Sequence, residues 1–143
     1  MILPDQRQIE LVQETFAQVV PISDQAAALF YGRLFEIAPE VQPLFTGDMA
    51  EQGRKLMTTL GVVTRGLDDL GELMPVAGKL AERHVGYGVL PEHYEPVGAA
   101  LLWTLGQGLG DGFTPEVEDA WTITYAALAA AMIEAAYDTE PTG

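Results

Sequence analysis

Two histidines, His84 and His93, are the only imidazoles in the chain, and no cysteine accompanies them. Imidazole is the commonest protein metal ligand and titrates near neutrality, so metal or acid–base chemistry would centre on these positions. Zinc is poorly supported. No second histidine lies three or four residues away, no thiolate exists, and HExxH is absent. Pro91 lies between the two histidines and should make them diverge. Nucleophilic hydrolysis lacks its parts, because Ser23 is the only serine and stands in no nucleophile elbow. No GxGxxG or GxxxxGK[ST] loop is present, and the alternating glycines 106, 108, 110 and 112 follow no strand. His84 ends a helical stretch just before a glycine-containing corner, where no cap or turn role explains it. Taken alone it reads as a core or surface imidazole, or as a ligand. Tyr31 and Gln52 are the other residues out of place, each a polar group on an otherwise apolar face. Left unpaired when buried, such a group costs about 1–3 kcal/mol. If their two helices face each other, they make a small polar site in an apolar pocket.

Helices must position these residues. Ile9, Val12, Phe16 and Val19 form one apolar face after Pro4–Asp5, and Pro21 ends that helix. Ser23 is expected to cap the next, whose apolar face carries Ala27, Tyr31, Leu34 and Phe35. Pro39 and Pro43 bracket a short helical turn ending at Leu44 and Phe45. A longer helix is expected from about Asp48 to Thr64, with Gln52, Leu56, Met57, Leu60 and Val63 along one face. Residues 66–71 should break the chain, and Glu72 to His84 should form a helix interrupted by Pro75. Residues 85–90 form a corner. Pro91 suits the start of the next helix, which runs through Val97, Leu101 and Leu105 to about Gly106. Residues 106–112 are expected to be loop. Thr114–Pro115 opens a last helix carrying Trp121, Tyr125, Leu128 and Met132. No stretch alternates as a strand does. The expected fold class is all-α, with six to eight helices and short connections, in one domain over 1–143 whose ends, 1–4 and 138–143, fray.

Composition narrows the function classes. A chain of 143 residues fits one domain and buries roughly two-thirds of its unfolded surface. The net charge of −14 repels phosphate backbones and anionic lipid, so neither nucleic acid nor membrane is an expected partner. The acids are spread along the chain and read as a solubility feature. Lack of cysteine removes disulfides, thiolate metal sites and thiol-linked haem or bilin. The first residues lack a basic stretch followed by an apolar run, and no apolar stretch reaches 18 residues. A cytoplasmic location is expected.

The segment Phe30–Phe45, FYGRLFEIAPEVQPLF, resembles the FYxxLFxxxPxxxxLF pattern of bacterial haemoglobins and flavohaemoglobins. Glu51–Leu56, EQGRKL, looks like the start of their distal helix. His84–Gly98, HVGYGVLPEHYEPVG, is similar to their proximal corner and following helix. The likeness is collinear over nearly the whole chain. It implies a globin fold around a haem pocket, with non-covalent haem b and iron as cofactors. It implies His84 as the proximal iron ligand, Phe45 packed flat against the porphyrin, and Tyr31 and Gln52 on the distal side as donors. Leu56 would wall the same pocket. Arg83 and Lys55 are candidates for the anionic propionates, or are plain surface charges. Tyr94 resembles a proximal tyrosine that joins a glutamate behind the histidine and raises its basicity. Here the matching late position is Ala136. Glu134 lies two residues off that register, roughly 200° around a helix, so the acidic half of the relay is missing.

The resemblance therefore implies reversible binding of O2, and of NO or CO, as in bacterial oxygen carriers. A second implied activity is NO dioxygenation to nitrate, with electrons from a separate reductase, since these residues contain no reductase module. A haem-based gas sensor or a haem-free globin-like domain is the further alternative.

Overall fold

Asp5 opens the first helix, α1 (Gln6–Val19), with a reciprocal cap. Its carboxylate accepts from the Gln8 N–H at 2.8 Å, and the Gln8 side chain accepts from the Asp5 N–H at 2.9 Å. The computed structural model describes residues 4–45, 48–86 and 91–133, without the side chains at 70–72, 74, 83–86 and 91. Six α-helices cover most of these: α1, α2 (Ser23–Ile37), α3 (Met49–Gly66), α4 (Leu70–Gly86), α5 (Tyr94–Leu109) and α6 (Pro115–Ile133). Short 3-10 turns fall at Val20–Ile22, Pro39–Leu44, Pro91–His93 and Gly110–Gly112. The described residues contain no strand. Of the ends expected to fray, Pro4 is buried and the remainder lies outside the described residues.

Five local expectations need correction. Ser23 does not cap α2. It already has helical dihedrals (φ −53°, ψ −46°), whereas a cap needs extended backbone, and its hydroxyl donates back to the Val20 carbonyl. The break after α3 is only residues 67–69. Pro75 does not interrupt α4. It lies exposed in the second turn, where it costs one intrahelical bond, while Leu73, Ala77 and Ala81 bury the opposite side. Residues 106–109 are helix rather than loop. Gly106 and Gly108 are weak helix formers by about 1 kcal/mol each, but a Cβ there would lie in contact with Phe113 and Ile22, so close packing holds the turn. The helix stops only at Gly110, whose φ of +55° a side chain would resist. The corner expected at 85–90 begins as the end of α4, and 87–90 lie outside the described residues.

Packing follows the apolar faces. α1 lies against α6, and α2 crosses both α5 and α3. Val12 and Leu34 are fully buried among Phe16, Phe30, Leu101 and Trp121. The Trp121 indole N–H donates to the Thr15 hydroxyl at 2.8 Å, and that hydroxyl donates to the Leu11 carbonyl at 2.6 Å. An apolar cavity of about 20 Å³ remains between Phe16, Phe30, Leu56, Leu60, Leu105 and Trp121. A second cluster joins Ala77 and Ala81 of α4 to Tyr94 of α5 and Met132 of α6.

Candidate functional site

Tyr31 and Gln52 come together because α2 and α3 cross tightly one residue away. Gly53 faces Ala27 so closely that a Cβ on it would lie 2.8 Å from the alanine methyl. The glycine lets the backbones approach, and one turn further along α2 the Tyr31 hydroxyl donates to the Gln52 carbonyl at 3.3 Å. Asp48 fixes the start of α3 by accepting from the Ala50 N–H at 2.9 Å, which sets the rotation at which Gln52 and Leu56 are presented.

Aromatic rings surround this hydroxyl. Tyr31 stacks on Phe35 at 6.0 Å between centroids and meets Phe45 edge-on at 5.2 Å, while Phe30 touches it from behind at 5.1 Å. Phe45 takes its place because the Pro39–Leu44 turn, closed by its N–H donating to the Gln42 carbonyl at 3.1 Å, swings the chain back over α2. Burial pushes the Tyr31 phenol up to about 12; like any tyrosine it is a protonated donor at neutral pH. Phe45, Leu56, Met57 and Leu60 border the core yet are only half covered.

The remaining predicted residues divide. Tyr94 is buried at the first position of α5, against Ala77 and Ala81 of α4. Its carbonyl accepts from the Tyr125 hydroxyl at 2.6 Å. Lys55 is exposed and lies 3.8 Å from Glu51, one turn earlier on α3. His84 and Arg83 occupy the last turn of α4, with their side chains outside the described residues, as are Glu134 and Ala136 altogether. His93 lies apart from the Tyr31 cluster, half-exposed in an open groove of about 510 Å³ with Ile37, Glu40, Glu92 and Glu95. Among the described residues no group of three or more acids or imidazoles could hold a metal, and no helix is long and apolar enough to cross a membrane.

Sequence reasoning missed the close contacts at Gly53 and Gly98. Gly98 is the more consequential, since a Cβ there would sit 2.6 Å from the ring of Tyr125. Nothing local marks either glycine, because each is explained by a residue on another helix.

Comparison with known proteins places this architecture. The sequence profile of the globin family matches residues 28–132. Flavohemoproteins from Vibrio cholerae and Bacillus subtilis are each 30% identical to the chain over 90% of its length, and it covers 34% and 33% of them. One from Pseudomonas aeruginosa is 39% identical over 74% of the chain and is covered to 28%. The chain thus spans about a third of the length of these relatives. A globin structure from Campylobacter jejuni superposes with a TM-score of 0.81 at 24% identity, covering 94% of this chain and 98% of the other. The chain belongs to the globin family.

Proposed function

We propose that this globin binds haem b non-covalently through His84 and reversibly binds O2, with NO and CO as further ligands, on the side of Tyr31. Family membership implies haem and its iron. The donor set fits that group. The chain has no thiol for covalent attachment, and a histidine stands in the last turn of α4. Half-covered apolar side chains, Phe45 and Leu56 among them, suit a flat hydrophobic ring. Haem would supply the iron that binds gas, and the protein would do the rest.

The observation that carries the reading is the Tyr31 hydroxyl, protonated and set in an aromatic shell beside Gln52. Its bond to the Gln52 carbonyl is long, so it is readily redirected toward a ligand that gathers negative charge. In the assigned roles Gln52 adds an amide donor, Leu56 restricts access and Phe45 packs on the ring. Tyr94 would lie behind the histidine. Arg83 and Lys55 would meet the propionates. Lys55 is available for this, because an exposed pair such as Lys55–Glu51 is worth about 0–1 kcal/mol.

The test is spectroscopic. Haem-loaded protein should show a Soret band, a stable oxy form and a CO form, and His84→Ala should lose normal ligation. Tyr31→Phe and Gln52→Leu should each speed O2 dissociation, about tenfold or more for Tyr31 if its bond is worth 1.5–3 kcal/mol. No haem uptake, or uptake indifferent to His84, would overturn the reading. Unchanged off-rates in both distal variants would remove the donor roles.

A further inference from the structure

We propose that the groove between the end of α2 and the start of α5 docks a segment of a partner protein that carries lysine or arginine around an apolar side chain. Ile37 closes α2 and stays 40% exposed, because the chain turns away at Ala38 into the Pro39–Leu44 turn. Pro96 and Ala99 of α5 line the same groove, and these apolar groups floor a space of about 510 Å³ that is open to solvent. Glu40 borders it from the 3-10 turn, while Glu92 and Glu95 border it from the start of α5. A single exposed isoleucine needs no explanation. An apolar floor inside an acidic rim is different, because protein interfaces have this layout, apolar at the centre and polar at the edge.

Charge decides what can lie there. All three carboxylates are exposed, and among the described residues none is in an ion pair. α2 and α5 carry one cation between them, Arg33, and it is turned to another use. It stands one turn before Ile37, with its guanidinium 5.2 Å over the ring of Trp103, which is one turn beyond Ala99. Beyond Arg83 the chain contains no lysine or arginine at all, while acids continue to Glu140. The field over the groove is therefore negative both from its rim and from the helices behind it. The first turn of α5 suits Glu95 electrostatically, but that accounts for neither Glu40 nor the exposed apolar floor. An acidic peptide, a phosphate backbone or an anionic lipid surface is repelled. A small polyamine would meet the carboxylates and leave Ile37 in water. A protein segment answers both, with cations on the rim and an apolar side chain on Ile37.

The probe is a short fluorescein-labelled peptide of alternating lysine and leucine, titrated with the purified protein and followed by fluorescence anisotropy. A chain of net charge −14 attracts any polycation weakly, so the variants carry the test. Glu92→Gln with Glu95→Gln should weaken binding about fivefold or more, and Ile37→Ser should weaken it about threefold or more at unchanged charge. Glu118→Gln with Asp119→Asn, which removes two exposed acids of α6, should leave it within about twofold. Serine in place of leucine in the peptide should weaken binding to the parent protein and make little further difference to Ile37→Ser. Circular dichroism confirms that each variant is folded. Equal losses in the two acid pairs, or none in Ile37→Ser, would overturn the proposal, because binding would then follow net charge alone. Absence of binding would overturn it as well. Self-association of the protein in sedimentation, abolished by Ile37→Ser, would assign the groove to a second copy of the chain and overturn the proposal in that way.

Discussion

Tyr31 has lost most of its contact with water and kept its proton, and this gives it a signature away from any ligand. Free tyrosine ionises near 10; here the value is about 12. Between these values the unfolded chain has released the phenolic proton and the folded chain has not, so alkali favours unfolding. The Tyr31 contribution to stability is whole below pH 10 and is lost as pH rises through about 12. Tyr31→Phe should therefore flatten the decline of stability between pH 10 and 12, measured by urea unfolding at stepped pH. An equally steep decline in the variant would show that Tyr31 ionises freely in the folded protein. Tyr31 and Gln52 were legible as a pair because each breaks an apolar stripe, and a stripe names the face a residue shares. Tyr125 is likewise a polar group in an apolar stripe, between Trp121 and Leu128, but nothing in that stripe shows that its ring lies on Gly98, 27 positions back along the chain.

Among the helices, α2 and α3 set the width of the site. Their separation at Gly53 leaves no room for a methyl group, since the atom it would meet is the fixed Cβ of Ala27 at 2.8 Å. Gly53→Ala gains helix propensity of about 1 kcal/mol, but overpacking a rigid contact costs about 1–3 kcal/mol. The expected net result is a loss of stability, together with a weaker Tyr31–Gln52 contact. Denaturant midpoints of Gly53→Ala and of Gly32→Ala, where nothing lies within 4 Å, make the comparison. If Gly53→Ala gains as much as Gly32→Ala, the tight crossing is not what holds the two helices. The helices themselves were legible wherever a start signal met a periodic face, as at Asp5, Asp48 and Thr114. Thr114 caps α6 by accepting from the Val117 N–H at 3.3 Å. Reading failed where tertiary packing overrode a local preference. Gly106 and Gly108 stay helical against Phe113 and Ile22, and Pro75 is carried by the buried side of α4. Ser23 failed for a subtler reason, because the preceding 3-10 turn delivers it already wound.

At the scale of the whole molecule, a buried polar contact ties the first helix to the last. The Trp121 indole N–H and the Thr15 hydroxyl are both buried, so Thr15→Val leaves the indole unpaired at nearly unchanged volume. This should cost about 1–3 kcal/mol in chemical unfolding. Thr15→Ser, which restores the acceptor, should recover most of it. A valine variant as stable as the parent would mean the tie is neutral. The other link between these helices, Arg7 to Glu116 at 3.8 Å, is exposed and worth about 0–1 kcal/mol. The indole contact joins residues 106 positions apart, and α2, α3, α4 and α5 all lie inside the loop it closes. Loop-closure entropy must be met before such a distant contact returns anything, so nearer pairings among the inner helices come first. The order of synthesis points the same way. While α6 is still inside the ribosome, Thr15 has no indole to receive and Gly98 has no ring upon it. A growing chain can therefore bring Tyr31 and Gln52 together early, but it can join its first helix to its last only after α6 has emerged.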